Sequence, residues 1–179
     1  MILRNCFVMG MLAAVLFGVV SEGVGQDWHS YESKEGGFSI DVPVPPKQSK
    51  MVQHSFIGSV VNHIFTSLHD DSKYTVDYSE LPGFAVDFAG ADTIIDHAQG
   101  AVASQTLAKI KSSKDIMVGK HHGKKVVFDL PKVPGKPQRQ EVTYFVMVGD
   151  RLYVVDAEVP MDDGDKNIER FFKSLTFLD

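Results

Sequence analysis

A single cysteine, Cys6, is present, so neither a disulfide framework nor a thiolate metal cluster is available to this chain. No HExxH, GxSxG, P-loop or GxGxxG motif occurs. That removes the usual anchors of metalloproteases, α/β-hydrolases, NTPases and dinucleotide-binding enzymes. Serine, histidine and aspartate are all represented, but nothing in their spacing selects a catalytic triad. Internal repeats and low-complexity tracts are missing as well. These absences argue against an enzyme, and no cofactor is expected.

Long apolar runs are also scarce. The one that stands out covers residues 6–20, with Arg4 the only charge ahead of it and Ser21-Glu22-Gly23-Val24-Gly25 behind it. A basic start, a short apolar stretch and a small-residue exit mark a secretory signal peptide over residues 1–25. Cleavage after Ser21 and after Gly25 both satisfy the small-residue requirement. The run falls short of the ~20 apolar residues that span a bilayer, although a retained anchor is the alternative. Cys6 precedes the run and is badly placed to receive a lipid. The expected product is exported, periplasmic or extracellular, with no stable membrane span after cleavage. It would be a single domain over residues 26–179, held together by an apolar core without disulfides.

What is there is ordinary globular material: 179 residues, 44% apolar, 23% charged, net charge −5. Residues 28–31 and 37–42 read as short strands, the second alternating through Phe38, Ile40 and Val42 until Pro43, Pro45 and Pro46 end it. Residues 51–57 and 60–68 are β-rich, and Gly58-Ser59 between them reads as a hairpin turn. Alternation returns over residues 73–80 with Tyr74, Val76 and Tyr78. Over residues 92–111 the period becomes helical, through Ile94, Ile95, Ala98, Ala101, Val102 and Ile110, with Asp92 as N-cap. Strands over residues 115–118 and 124–130 flank His121-His122-Gly123, read as a turn. Residues 140–148 and 151–159 form a hairpin through Gly149-Asp150, placing Tyr144 opposite Val155 and Val146 opposite Tyr153. Both faces of that hairpin are apolar, so its strands should be central and covered on both sides. Ile168, Phe171, Phe172 and Leu175 fall at helical spacing and close the chain. The sum is an α+β domain: an antiparallel β-sheet with a long middle helix and a C-terminal helix.

Several of these segments carry a resemblance. Gly36-Gly37-Phe38-Ser39-Ile40-Asp41-Val42-Pro43 resembles the opening of PsbP-like secreted domains. So do Tyr74-Thr75-Val76-Asp77-Tyr78 leading to Leu81-Pro82, Gly149-Asp150-Arg151-Leu152-Tyr153-Val154-Val155, and the ending Phe171-Phe172-Lys173-Ser174-Leu175. The resemblance spans most of residues 26–179 and rests on short structural motifs. It implies an α/β/α sandwich around an antiparallel sheet, in a non-enzymatic family of accessory and assembly factors. Photosynthetic members bind near a metal cluster; none of their ligand residues has a match here, so that role does not carry over.

Two polar features suggest sites. With Gly58-Ser59 as the turn, His54 would face His63, close enough for two imidazoles to share a metal; no third ligand is fixed by the sequence, although Asp77 or Glu80 on the next strand could approach. Val52, Phe56, Val61 and Phe65 share that face, so a half-buried histidine pair fits equally well. The run Asp162-Asp163-Gly164-Asp165-Lys166-Asn167, with Glu169 beyond, departs from calcium-loop spacing and reads instead as the capped start of the last helix.

Charge segregation is the second feature. Residues 109–140 hold nine basic residues against Asp115 and Asp129, a net +7, which leaves −12 on the remainder. The residues expected to dock a partner are Lys120, His121, His122, Lys124, Lys125, Lys132, Lys136 and Arg139, with an exposed loop over residues 131–137. The partner would be an acidic envelope protein or an anionic surface polymer. Lysines that merely solubilise strand edges are the competing account. No nucleic acid is expected, since the chain is exported, net acidic and without interleaved aromatics there. The leading expectation is therefore a non-enzymatic accessory or binding protein; the alternative is a small-ligand or metal-binding protein using His54 and His63.

Overall fold

The computed structural model describes residues 28–55, 58–161 and 166–178. The strands are β1 (His29–Ser33), β2 (Phe38–Val42), β3 (Lys47–Ser55), β4 (Gly58–His69), β5 (Ser72–Glu80), β6 (Lys109–Val118), β7 (His121–Asp129), β8 (Arg139–Val148), β9 (Arg151–Pro160) and β10 (Thr176–Phe177). The helices are α1 (Gly83–Ala89), α2 (Ala91–Thr106) and α3 (Lys166–Lys173). Seven strands pair antiparallel in the order β3-β4-β5-β9-β8-β7-β6, and a second sheet has the order β1-β2-β10. This is the expected antiparallel α+β architecture; the separate three-stranded sheet is an addition to it. The segment read as a signal peptide and Asp162 to Asp165 lie outside the described residues. Within them, no helix is long and apolar enough to cross a membrane.

Strand β9 occupies the middle of the large sheet, as its two apolar faces demand. One face carries Tyr78, Tyr153, Val155 and Phe65, which pack against Phe38 and Ile40 of β2 and Phe171 of α3. Tyr144 stacks on Phe172 with ring centroids 4.0 Å apart, and the Tyr153 hydroxyl donates to the Gly36 carbonyl at 2.6 Å. The chain end is pinned to β2: Ser174 Oγ accepts the Asp41 N–H, and the Leu178 N–H reaches the Gly37 carbonyl at 2.9 Å. On the opposite face Ile95 of α2 buries against Val126, Phe128, Phe145, Met147 and Leu152. Because α2 lies mainly over β7 and β8, the β4-β5-β9 part of that face is less closely covered.

The β8–β9 register is the expected one, pairing Tyr144 with Val155 and Val146 with Tyr153. Gly149 makes its turn possible at φ +57°, a left-handed conformation that costs glycine little. Other expectations need correction. The middle helix ends at Thr106, where Leu107 turns left-handed at φ +55°, so Lys109, Ile110 and Lys111 belong to β6. Its N-cap is Gly90, with Asp92 in the first turn, and a separate helix α1 precedes it after Pro82. The Gly119-Lys120 pair forms the β6–β7 turn, with Gly119 at φ +59°; His121 and His122 therefore open β7, opposite Val118 and Met117.

The largest correction concerns the β3–β4 hairpin. Ser55 pairs with Gly58, so Gly58 begins a strand instead of a turn. His54 stands opposite Ser59, and His63 opposite Lys50. The two histidines are four positions apart along the ladder, about 13 Å at ~3.3 Å per residue, too far to share a metal ion. Tertiary contacts favour this register: Gln48 Nε2 donates to the Tyr31 hydroxyl at 2.8 Å, and Lys50 Nζ lies 3.5 Å from Glu35 Oε1. Both anchors belong to the first hairpin, distant in sequence.

Candidate functional site

A cleft of about 370 Å³ opens where the less covered part of the large sheet meets α1 and α2. Its walls are apolar: Ile94, Ala98 and Val102 of α2 face Leu152 and Val154 of β9, joined by Ala85 of α1 and by Met51 and Val60 of the β3–β4 hairpin. The helix side is made of small and branched residues at helical spacing, whose limited volume leaves the space unfilled. The polar groups are few. Gln53, Asn62, Asp77 and Ser79 stand on the strands, and Thr93, His97 and Gln105 on α2. Asn62 Nδ2 is engaged by Gln53 Oε1 at 3.1 Å.

Asp77 is the unusual member. Ile64 of β4 and Val154 of β9 are its directly opposed neighbours. Its Oδ1 is buried, with no hydrogen-bond partner among the described residues. Burial without a partner disfavours the charged form and pushes the carboxyl up to about 7. One step along the same face, Asp156 stands between Thr75 and Thr143. Burial pushes it up to about 8; Lys73 opposes the shift, while Glu141 and Asp77 reinforce it.

The next row absorbs Lys73 and Arg139. Lys73 Nζ is 2.9 Å from Glu158 Oε2, and Arg139 Nε is 2.7 Å from Glu158 Oε1. Burial works against the Glu158 charge, yet these two cations hold its carboxyl below the ordinary range. Burial raises Glu141, opposed by Lys73 and by the Thr143 hydroxyl, which donates to Glu141 Oε1 at 3.1 Å. Cationic compensation from Lys73 thus reaches Glu158, Glu141 and Asp156 but not Asp77. Sequence reading placed Asp77 only as a remote third ligand for a histidine pair. No local signal marks it, because Asp77 alternates with Lys73, Thr75 and Ser79 on one face of β5 as a solvent-facing acid would.

His63 lies on the other face of the sheet. Its ring stacks on Tyr78 at 4.6 Å, and its Nδ1 is 3.1 Å from the Tyr78 hydroxyl. Glu80 does not approach it as a ligand: Arg151 Nη2 donates to Glu80 Oε1 at 2.6 Å, and the same guanidinium lies over the Tyr78 ring. The side chain of His54 lies outside the described ones. Among the described residues no group of three or more histidine, cysteine, aspartate or glutamate side chains is placed to hold a metal ion.

The basic segment is spread along the outer hairpin β6–β7 and the loop after it. Part of its charge is internally opposed: Lys124 pairs with Asp96, Lys111 with Asp129, and Arg139 with Glu158. His121 packs edge-on against Phe177 at 5.4 Å. His122 lies between Asp92 and Asp115, at 3.4 and 3.9 Å. Neither histidine is in the turn expected for it. Lys125 is half-buried, opposite Lys114 on β6. Lys109, Lys114, Lys120, Lys132 and Lys136 are exposed along this edge and its two ends.

No family model matches the chain, and no curated protein matches it. Solved structures do. The solution structure of cyanobacterial PsbP (CyanoP) from Synechocystis sp. PCC 6803 superposes with a TM-score of 0.58 at 15% identity, covering 87% of this chain and 95% of that one. A crystal structure of a protein from Bacteroides thetaiotaomicron VPI-5482 gives a TM-score of 0.50 at 10% identity, covering 87% of this chain and 50% of that one. At such identities the likeness concerns the path of the backbone alone. The sandwich of α1–α2, the seven-stranded antiparallel sheet, and the small sheet with α3 is a PsbP-like fold.

Proposed function

We propose that the chain is an exported, non-catalytic binding module of the cell envelope that docks an acidic partner along its β6–β7 edge. The observation that carries this reading is the stripe of exposed Lys109, Lys114, Lys120, Lys132 and Lys136 on the outer hairpin and its following loop, in a chain of net charge −5. Such a stripe attracts anions over about a Debye length, ~10 Å at 0.1 M salt, and orients an acidic partner before contact. The same lysines keep the outermost strand from pairing with another chain. Both roles operate together when the partner is a charged surface and not an added strand.

The test is retention on an immobilised acidic polypeptide, poly-glutamate, at about 0.05 M and about 0.5 M salt. Residues 26–179 should be held at low salt and released at high salt. Lys120→Glu/Lys132→Glu/Lys136→Glu should lose retention, whereas Lys34→Glu/Lys47→Glu/Lys50→Glu, with the same charge change near the opposite edge, should keep most of it. Equal loss in both variants would reduce the effect to net charge and overturn the reading. Turnover on a panel of esters and phosphate esters would overturn its non-catalytic part.

A further inference from the structure

We infer that the cleft between α1–α2 and strands β3, β4, β5 and β9 binds a small organic cation, an alkyl or aryl body bearing one ammonium group, with the ammonium seated on Asp77. This site is independent of the lysine stripe, which lies along β6, the β6–β7 turn and the loop after β7.

The argument begins with the carboxylate. Asp77 Oδ1 is buried and has no partner among the described residues. The groups facing it from each packed element include no lysine or arginine. Ile64 and Val154 stand opposite it on β4 and β9. Asn62 is engaged by Gln53, and Ser79 is the polar neighbour on its own strand. From α2 the one titratable residue of the cleft is His97, while α1 and β3 contribute Ala85, Ala89, Met51 and Gln53. The nearby titratable group, Asp156, is another buried carboxyl, and Lys73 beyond it is taken by Glu158. A buried anion without a counter-charge is costly unless a ligand supplies one.

Ligand chemistry follows from the surroundings. An anionic ligand would face the Asp77 carboxylate and be repelled. A neutral hydroxyl would satisfy Oδ1 but leave its charge uncompensated. An ammonium supplies both the N–H donor and the charge, and charge-assisted hydrogen bonds are about twice as strong as neutral ones. The walls of Ile94, Ala98, Val102, Leu152 and Val154 remove water and favour an apolar body attached to that head. At about 370 Å³ the cleft falls within the ~300–1,000 Å³ of small-molecule sites.

The probes are 2-phenylethylammonium and octylammonium, against the matched alcohols 2-phenylethanol and octanol, titrated into residues 26–179 by calorimetry with chemical-shift perturbation. The ammonium compounds should bind and the alcohols should bind at least tenfold more weakly. Ammonium affinity should rise about tenfold from pH 6 to pH 8, following the ionised fraction of a carboxyl titrating at about 7. Asp77→Asn should lower affinity more than tenfold and flatten that profile. Ala98→Trp, which fills the cleft from the helix side, should abolish binding while leaving Asp77 in place. In the unaltered protein, the Asp77 carboxyl followed by NMR should titrate at lower pH once octylammonium is bound. Absence of ammonium binding, equal binding of the alcohols, or an Asp77 titration unmoved by octylammonium would overturn the site. So would a pH profile that survives Asp77→Asn and vanishes in His97→Gln.

Discussion

The Tyr153 hydroxyl donates to the Gly36 carbonyl at 2.6 Å, joining the central strand of the large sheet to the first hairpin across 117 residues of sequence. Both residues are buried. Tyr153→Phe would keep the ring packing against Phe38 and Phe177 but leave a buried carbonyl without its donor. Such a loss costs about 1–3 kcal/mol. Urea unfolding should show the midpoint fall with an unchanged slope; a change below about 0.5 kcal/mol would show that the carbonyl finds another donor.

Asp77 makes stability depend on pH in an unusual direction. An acid whose folded-state pKa lies above its unfolded value keeps its proton in the folded state between the two, so the fold loses stability as pH rises through that interval. For Asp77 the interval runs from 3.8 to about 7. Asp77→Asn removes the titration, so the variant should gain on the unaltered protein between pH 4 and pH 8, by at least about 1 kcal/mol. Unfolding curves at the two pH values check it; a constant difference would mean that Asp77 ionises normally.

Gly123 of β7 sits where a Cβ would meet the Phe145 carbonyl oxygen well inside contact distance, with Val146 also close. Since the obstacle is backbone in a central strand, no side-chain rotation relieves it. Gly123→Ala should destabilise the fold by about 1–3 kcal/mol or more. Thermal unfolding measures this, and a near-neutral substitution would show that β7 and β8 can separate locally.

Zinc uptake should not depend on a histidine pair in the β3–β4 hairpin. His54 and His63 stand opposite Ser59 and Lys50, four positions apart along the ladder. Competition against a zinc-sensitive dye should give the same result for residues 26–179 and for His54→Ala/His63→Ala. Loss of a tight site in the double variant would contradict the register.

Much of the fold was legible because its signals are local. Alternation in Phe38-Ser39-Ile40-Asp41-Val42, the two apolar faces of the β8–β9 hairpin, and the helical spacing of Ile168, Phe171 and Phe172 depend on periodicity alone. Turns that required positive φ were legible where a glycine had a single plausible role, as at Gly149. The β3–β4 hairpin was not such a case. Gly58-Ser59 carried the local turn signal, yet Gln48 and Lys50 are held by Tyr31 and Glu35 from the first hairpin. Likewise, helical periodicity ran through Ile110, but pairing with Phe128 drew that residue into a strand.

The sequence by itself determined an antiparallel α+β domain with a covered central hairpin and a separated cluster of basic residues. The tertiary structure decided which polar groups became a candidate site. Asp77 looks like any acid in an alternating strand; its lack of a counter-charge results from Ile64 and Val154 beside it, Asp156 one step away, and Lys73 drawn to Glu158. Desolvation and charge pairing depend on neighbours from four strands and two helices, and sequence spacing does not reveal which of those neighbours arrive together.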